Sequence, residues 1–352
     1  MTLSSKVAQL GVGILGAGPV TQAIHLPTLA RMPDLFRVTA VMDVDAQVAE
    51  SVAARAMAEP AQSVQAVLDN PSVDVVAVCS PQQFHAEQVA AICAAGKRGI
   101  LCEKPLAASR GEAEEIRKVV EAAGLPLVVG AMHAYDPGWL TAFDACAGWF
   151  DNVHTIRSTI VLPFNDRFED WASQVDRRPA PAANSGTPGA QESAQRIRGL
   201  VLGLWVHNLP LIRAVAPTLD RVDHAEFLTP FGGVISAAAA GRRVDLVAFM
   251  RPVWRPDWRL EAWGDERSLS VSFPPSYVQA GPASVTVTDR HGERRLATPA
   301  HNGYEGEWME LHNLLTGTAT PRYPLSTVVD DVAFAIDIAD AAVSAVLAGG
   351  AR

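Results

Sequence analysis

Val12-Gly13-Ile14-Leu15-Gly16-Ala17-Gly18-Pro19-Val20-Thr21 is the stretch whose reading decides the fold. Val7–Leu15 reads as an apolar strand and Val20–Arg31 as a helix, with glycines at the junction. A strand that turns through glycine into a helix offers the free backbone N–H groups of that helix to an anion such as a pyrophosphate. Two frames compete. Gly11-Val12-Gly13-Ile14-Leu15-Gly16 has the G-x-G-x-x-G spacing letter for letter. Taking it as the loop places Gly16, Gly18 and Pro19 inside the helix, where each is a poor helix former. The frame Gly16-Ala17-Gly18-Pro19-Val20-Thr21 avoids that conflict. Gly16 then makes the tight turn, Gly18 lets the backbone approach phosphate, and Thr21 stands where a third glycine would pack helix against strand. Asp43 ends the next strand, Phe36–Met42, about twenty residues further on, where an acid binds the adenosine ribose. A carboxylate there accepts from the ribose hydroxyls and repels a 2′-phosphate, so NAD is expected rather than NADP.

Outward from this loop, short apolar runs alternate with helical segments up to about residue 130. Ala46–Ala58, Glu87–Ala95 and Arg110–Ala123 read as helices, and Asp74–Cys79, Gly99–Cys102 and Leu127–Val129 as strands. This alternation predicts a parallel, doubly wound sheet with right-handed crossovers. Beyond that point strands dominate: Val153–Leu162, Val222–Thr229, Arg243–Met250, Trp258–Trp263, Ser268–Phe273 and Ser284–Thr288. Several alternate with period two, as a half-buried antiparallel sheet requires. Asp136–Phe150, Ile197–Val215, Gly303–Thr316 and Thr327–Ala348 read as helices, and Pro179–Gly189 as a mobile insertion rich in Pro, Gly, Ser and Ala.

The chain of 352 residues suggests about two domains. With 29 Lys+Arg against 38 Asp+Glu, its net charge of −9 argues against nucleic acid or an anionic membrane as main partner. Hydrophobic residues at 49% and charged residues at 19% are globular proportions and argue against disorder. No uncharged apolar run approaches the roughly 18 residues of a membrane span. Val7–Val20 has the look of a signal-peptide core, but its Gly-Ala-Gly-Pro ending and lack of a cleavage site argue against export. Cys79, Cys93, Cys102 and Cys146 lack CxxC spacing and are expected as reduced thiols in a cytoplasmic protein. The histidines show no metal-ligand spacing, so no metal is expected, and no GxSxG nucleophile motif occurs.

Leu101-Cys102-Glu103-Lys104-Pro105-Leu106 follows a buried strand. Alone, a Glu-Lys pair suits a solvated loop better. Yet ligands of open α/β sheets bind at the carboxyl ends of strands, where Lys104 stands, and Pro105 favours an extended backbone before it. With these residues in view, the chain resembles the Gfo/Idh/MocA oxidoreductase family, which includes glucose-fructose oxidoreductases and inositol dehydrogenases. The resemblance covers nearly the whole chain. It runs through Gly16-Ala17-Gly18, His25-Leu26-Pro27, Asp43, Val73-Asp74-Val75-Val76, Ser80-Pro81, His85 and Ala95-Gly96-Lys97 to Glu103-Lys104-Pro105, the family's most specific signature.

The resemblance implies an α/β protein with an N-terminal Rossmann NAD(P)-binding domain over 1–130. It implies a C-terminal α/β domain over 131–352, with a large, mostly antiparallel open sheet for substrate binding and oligomerisation as a homodimer or homotetramer. It assigns the cofactor to Gly16, Ala17, Gly18, Pro19, Val20, Asp43, Ser80, Pro81, His85, Glu103 and Lys104. The implied reaction is reversible hydride transfer between nicotinamide and a secondary alcohol carbon of a sugar, amino sugar or cyclitol, with Lys104 on the reacting hydroxyl.

The family's second catalytic segment, Asp-x-Gly-x-His-x-x-Asp, is met here by Gly203-Leu204-Trp205-Val206-His207-Asn208-Leu209-Pro210, in which only the histidine survives. His207 is the candidate general base, since imidazole titrates near neutrality. A capped helix histidine is the structural alternative. His133, Tyr135 and Asp136 are candidates to compensate for the missing acid. Asn208, off the helix face of Gly203, does not simply replace it and is, with His133, Tyr135 and Trp205, a candidate substrate contact, while Trp205 either narrows a pocket or belongs to the core. Arg196 and Arg198 read more readily as a solvated helix start than as an anion site, and Tyr304 as a helix staple or a pocket residue. Two other functions stay open: a non-catalytic NAD(P)-binding regulator of the same fold, to which the glycine at 203 lends weight, and an NAD-dependent glycoside hydrolase.

Overall fold

Every residue of β1 (Leu10–Leu15) is buried, as a strand covered on both faces and paired at both edges must be. In the computed structural model, which describes residues 9–178 and 188–349, β1 lies inside a six-stranded sheet. The chain continues through α1 (Leu26–Ala30), β2 (Phe36–Met42), α2 (Ala46–Ala56), β3 (Glu59–Ala61), α3 (Val64–Asp69) and β4 (Val75–Val78). It then forms α4 (His85–Ala94), β5 (Gly99–Glu103), α5 (Arg110–Ala123) and β6 (Leu127–Gly130). The strand order is β3-β2-β1-β4-β5-β6 and all pairings are parallel. The order reverses between β1 and β4, which fixes where such a sheet binds its ligand.

Gly11 and Gly13 belong to the interior of β1. A Cβ on Gly11 would stand 1.8 Å from the Ser72 carbonyl oxygen, and one on Gly13 2.5 Å from Cγ1 of Val67. Both are glycine for strand packing, so the frame starting at Gly11 is not the loop. Helix starts in this region are capped by side chains. Asp45, Ser63 and Ser109 accept from the backbone N–H of Gln47, Ala66 and Glu112 at 3.0, 3.1 and 3.2 Å.

The chain forms two compact units. The first holds the residues up to Gly130 together with Phe168–Pro179 and Tyr304–Val329; the second holds Ala131–Arg167, Ala180–Gly303 and Asp330–Arg352. A division at 130 therefore assigns two later segments to the C-terminal half that belong with the N-terminal sheet. The elements after β6 are α6 (Pro137–Ala145), β7 (Val153–Leu162), α7 (Asp166–Ala172), α8 (Ala190–Gly203), α9 (Leu209–Val215), β8 (Leu219–Leu228), β9 (Gly232–Ala239), β10 (Arg242–Met250), β11 (Asp257–Gly264), β12 (Arg267–Ser272), β13 (Ser284–Asp289) and β14 (Gly292–Arg295). They are followed by α10 (Gly303–Thr316) and α11 (Leu325–Gly349). The second sheet has eight strands in the order β14-β13-β12-β11-β7-β10-β9-β8, antiparallel except where β7 meets β10. Ile156, Ser158, Ile160 and Leu162 of β7 point inward at alternate positions. Helix α6 packs on β12 and β13, and α8 on β8 and β9.

Several elements differ from expectation. Gly232-Gly233-Val234-Ile235-Ser236-Ala237-Ala238-Ala239 lacks polar alternation and predicts no strand, yet it forms β9. Its glycine is demanded by packing: a Cβ on Gly233 would lie 2.7 Å from Cδ1 of Ile197 on α8. The helix expected over 197–215 is two helices, since Pro210 starts α9 and a 3-10 turn, Trp205–His207, separates it from α8. The helix expected over 136–150 stops at Ala145, and Gly148 then takes a φ of +78°. Most of the insertion read at 179–189 lies outside the described residues. Helix α11 is long and apolar enough to cross a membrane by length and composition, although no uncharged run of that length exists. Phe334, Ile338, Ala339 and Ala342 of that helix are buried, and Asp331 pairs with Arg213 of α9.

Candidate active site

Gly16 ends β1 with a φ of +96°, and a Cβ there would stand 2.7 Å from the Cys79 carbonyl oxygen and 2.8 Å from the Ser80 nitrogen. The turn after β1 is thus pressed against the turn after β4, and no other residue fits. Gly18 is different, because nothing lies within 4 Å of a Cβ built on it. That open side is the space a phosphate needs at a helix start. Thr21, in the third glycine's place, is buried and donates its hydroxyl to the Gly16 carbonyl at 2.6 Å. The first turn, Thr21–His25, is wound as a π-helix before α1. Pro19 and Val20 flank it, half-buried.

Asp43 follows β2 and turns back to this loop. Its Oδ2 accepts from Ala17 N–H at 2.7 Å and its Oδ1 from Asp45 N–H at 2.9 Å. Each oxygen keeps a second lone pair, which suits two ribose hydroxyls. The open Gly18, the strained Gly16 and this carboxylate together fit a dinucleotide. Gly18→Val tests that fit. The added Cβ meets no protein atom within 4 Å, so the melting temperature should stay within about 2 °C of wild type. Dinucleotide affinity, read by calorimetry, should fall at least about tenfold through steric exclusion; unchanged affinity would place the phosphates elsewhere.

Sequence reasoning missed a strap over this loop. Gln22, buried in the π-turn, donates to the Ala17 carbonyl at 2.7 Å and the Asp176 carbonyl at 3.1 Å. It accepts from Asp176 N–H at 2.8 Å and from Arg55 at 2.6 Å. Arg177 bonds Asp45 and Gln47 at the start of α2. Nothing local in residues 173–178 announces this return, since its partners lie more than a hundred residues earlier.

At the ends of β4 and β5 the remaining candidates meet. His85 places Nε2 2.9 Å from the Ser80 carbonyl and Nδ1 3.1 Å from the Pro105 carbonyl, so it ties the two turns together. Ser80 donates to Gln88 at 2.7 Å, and Pro81 is exposed beside it. The Lys104-Pro105 peptide is cis. Glu103 accepts the Lys104 N–H at 3.1 Å and lies 3.0 Å from Nε2 of His25. Burial pushes the Glu103 carboxyl up, but the His25 bond and the neighbouring charges outweigh it, so the group sits below the usual carboxylate range. Burial also pulls the Lys104 ammonium down, against the opposing charge of Glu103.

In the second unit, His207 lies in the 3-10 turn rather than on a helix, so an argument from residues four apart on one helix face does not apply. Its ring lies 5.9 Å from His133 and 5.3 Å from Trp258, centre to centre. His133 stacks on Phe273 at 3.7 Å and bonds Asn208 Oδ1 through Nδ1 at 2.7 Å, while the Asn208 amide donates to Ser158 at 2.9 Å. Burial takes the His133 imidazole down to about 3, so it is uncharged at neutral pH. Trp205 is wholly buried and Tyr135 nearly so. Asp136 caps α6 and also accepts from Ala283 N–H at 3.0 Å. α8 ends at Gly203, and nothing lies within 4 Å of a Cβ built there. Arg196 and Arg198 pair with Glu192 and Asp340, and Tyr304 is buried in α10. Among the described residues no cluster of His, Cys, Asp or Glu suits a metal ion.

Residues 10–131 match the family described as "Oxidoreductase family, NAD-binding Rossmann fold", Gfo/Idh/MocA. This stretch of the chain is the NAD-binding Rossmann part of that family. The chain is 40% identical over 132 residues to inositol 2-dehydrogenase 3 of Saccharopolyspora erythraea, covering 36% of this chain and 38% of that one. It is 37% identical over 145 residues to an inositol 2-dehydrogenase of Paracoccus denitrificans, covering 39% and 41%. These matches thus span about two fifths of each relative's length. A longer match, 28% identical over 300 residues, joins it to inositol 2-dehydrogenase 1 of S. erythraea and covers 84% and 82%. The fold recurs in a 3-ketoreductase from Actinomadura kijaniata solved with NADP and TDP-benzene, at TM-score 0.72, 19% identity and 95% and 98% coverage. It recurs too in UDP-N-acetylglucosamine 3-dehydrogenase from Acidithiobacillus ferrooxidans, at TM-score 0.73, 18% identity and 97% and 100% coverage.

Proposed function

We propose that this protein is an NAD-dependent oxidoreductase acting on a secondary hydroxyl or keto group of a sugar, amino sugar or cyclitol. The observation that carries the reading is Lys104, a lysine whose ammonium is weakened by burial at the carboxyl end of β5, two strands from the Gly16 loop. Adjacent strands are about 4.8 Å apart, so this is roughly 10 Å across the sheet, a distance a dinucleotide spans. Hydride exchange is the chemistry that a bound nicotinamide dinucleotide supplies. Lys104 takes or returns the hydroxyl proton and stabilises the developing alkoxide. Within the second unit, His207 is the candidate acid–base group, with the His133 and Trp258 rings beside it.

The substrate class is supported by the relatives in sequence, which are inositol 2-dehydrogenases. The test is nicotinamide absorbance with NAD+ over a panel of inositols, amino sugars and nucleotide sugars. No absorbance change across the panel by a folded, NAD-binding protein would remove the reading. NAD over NADP rests on Asp43, since the Actinomadura structure carries NADP. Asp43→Ser should move the NAD-to-NADP affinity ratio at least about tenfold toward NADP by removing charge repulsion. An unmoved ratio would show that the carboxylate does not face the ribose.

A further inference from the structure

Behind Glu103 lies a chain of buried polar groups that the proposed mechanism does not use. Trp308 of α10 is fully buried and donates its indole N–H to Nδ1 of His25 at 3.2 Å. His25, also fully buried, places Nε2 3.0 Å from Glu103 Oε1, and Glu103 Oε2 receives the Lys104 N–H at 3.1 Å. Gly130 leaves room for this carboxylate, since a Cβ there would lie 3.1 Å from Glu103 Oε1. An indole nitrogen can only donate, so Nδ1 of His25 must be the bare nitrogen and Nε2 must carry the proton toward Glu103. Phe36 holds the indole edge-on at 5.1 Å. We propose that Trp308 and His25 are positioning residues, which keep Glu103 an anion at a fixed place behind Lys104. The proposal rests on the reading of Lys104 as the proton-transfer group.

The physical content lies in what Trp308 prevents. Burial disfavours a charged His25 ring, but Cys79 and Glu103 outweigh it and hold the imidazole well above its ordinary value, so the surroundings favour a second proton and only the indole N–H seated on Nδ1 opposes it. A second proton on Nδ1 has to displace the indole N–H. If it did so, the imidazolium would oppose the field of Glu103, the charge that raises the Lys104 ammonium against its burial. The other titratable groups are accounted for. Burial keeps the Cys102 thiol protonated. Glu307 precedes Trp308 on α10, is buried with neither carboxyl oxygen hydrogen-bonded, and is pushed well up by that burial and by Glu103, against the opposing pull of His25. His312 lies one turn further along α10, against Phe36.

The test reads Lys104 without requiring a substrate. Competitive labelling by acetic anhydride as pH is varied, with the Lys104 peptide quantified by mass spectrometry, gives the midpoint at which Lys104 loses its proton. In Trp308→Phe the midpoint should fall by about half to one pH unit, as expected for loss of one partly screened charge. Glu103→Gln should lower it at least as far. Adding His25→Gln to Trp308→Phe should return the midpoint to the wild-type value, because the amide can donate to Glu103 but cannot become a cation. A merely structural role predicts the reverse, with the double variant at least as perturbed as the single. An unmoved midpoint in Trp308→Phe, or no recovery in the double variant, overturns the proposal. Nitrogen-15 spectra of wild-type protein give a check independent of any variant's folding: His25 Nδ1 should be unprotonated at neutral pH, and a protonated Nδ1 overturns it as well. Full redox activity in Lys104→Ala would instead remove the functional reading, while the labelling result would stand by itself.

Discussion

Lys104→Ala should lower turnover by about 10²- to 10⁴-fold, the usual contribution of a positioned acid–base group. The NAD affinity should stay within about threefold of wild type, because the phosphate loop and Asp43 are untouched. The split between the two measurements is the point of the experiment. Gly16, Gly18 and Asp43 sit at the ends of β1 and β2, whereas Lys104 ends β5 on the far side of β4. Loss of the amine removes the group that the proposal places on the reacting hydroxyl, one that is positively charged when it holds its proton. Lys104→Arg should be nearly as poor, since guanidinium keeps the charge but does not give up its proton. Stopped-flow absorbance of the nicotinamide during a single turnover separates the chemical step from binding. Equal rates for wild type and the alanine variant would show that Lys104 is not the proton-transfer group.

The parts of this protein that could be read from sequence are those written in local spacing. The Gly16 turn, Gly18 and Asp43 lie within some thirty residues of one another, and a parallel β-α-β unit forces that proximity. Glu103-Lys104-Pro105 was legible only because it stands at the carboxyl end of a buried strand and matches a family signature; alone it suits a solvated loop. The strap from residues 173–178 and the Trp308 to His25 bond were not legible. Each joins residues separated by more than 150 positions in part of its contacts, and nothing in either segment's own pattern names its partner. His25 is the instructive case. The sequence placed it in a recurring motif, but its meaning depends on an indole contributed by the returning helix α10. The break between α8 and α9 was half legible, for Pro210 marked a helix start that the run of apolar residues concealed. β9 escaped because glycine and alanine, chosen to let α8 approach, erase the polarity pattern by which strands are recognised.

Asp136→Ala should cost about 3 kcal/mol of stability, among the largest effects of any single change in the second unit. Its carboxylate caps α6 through Gly138 N–H at 2.7 Å and holds the Ala283 N–H at 3.0 and 3.2 Å, with the backbone N–H groups of Trp139 and Gly303 alongside. Alanine strands these donors in a site where Asp136 is 3% exposed, and a buried donor left unsatisfied costs about 1–3 kcal/mol. Asp136→Asn retains one acceptor oxygen and should cost less. The same residue gives the stability a pH dependence whose sign follows from its surroundings. Burial raises the carboxyl to about 6, against the pull of the backbone N–H bonds, whereas in the unfolded chain it titrates near 3.9. Between those values the folded protein binds the proton more tightly than the unfolded chain does, so this group stabilises the fold as pH falls through 6 and the gain is complete below about 4. From pH 7 to pH 5 the wild type should therefore gain about 1 kcal/mol relative to Asp136→Asn, which has nothing to titrate there. Asp331, raised to about 6 by its own burial, is common to both proteins and cancels in the difference. Urea unfolding of the two proteins at both pH values measures it directly. A difference that shrinks with falling pH would mean that the backbone N–H groups, not burial, set the charge of Asp136.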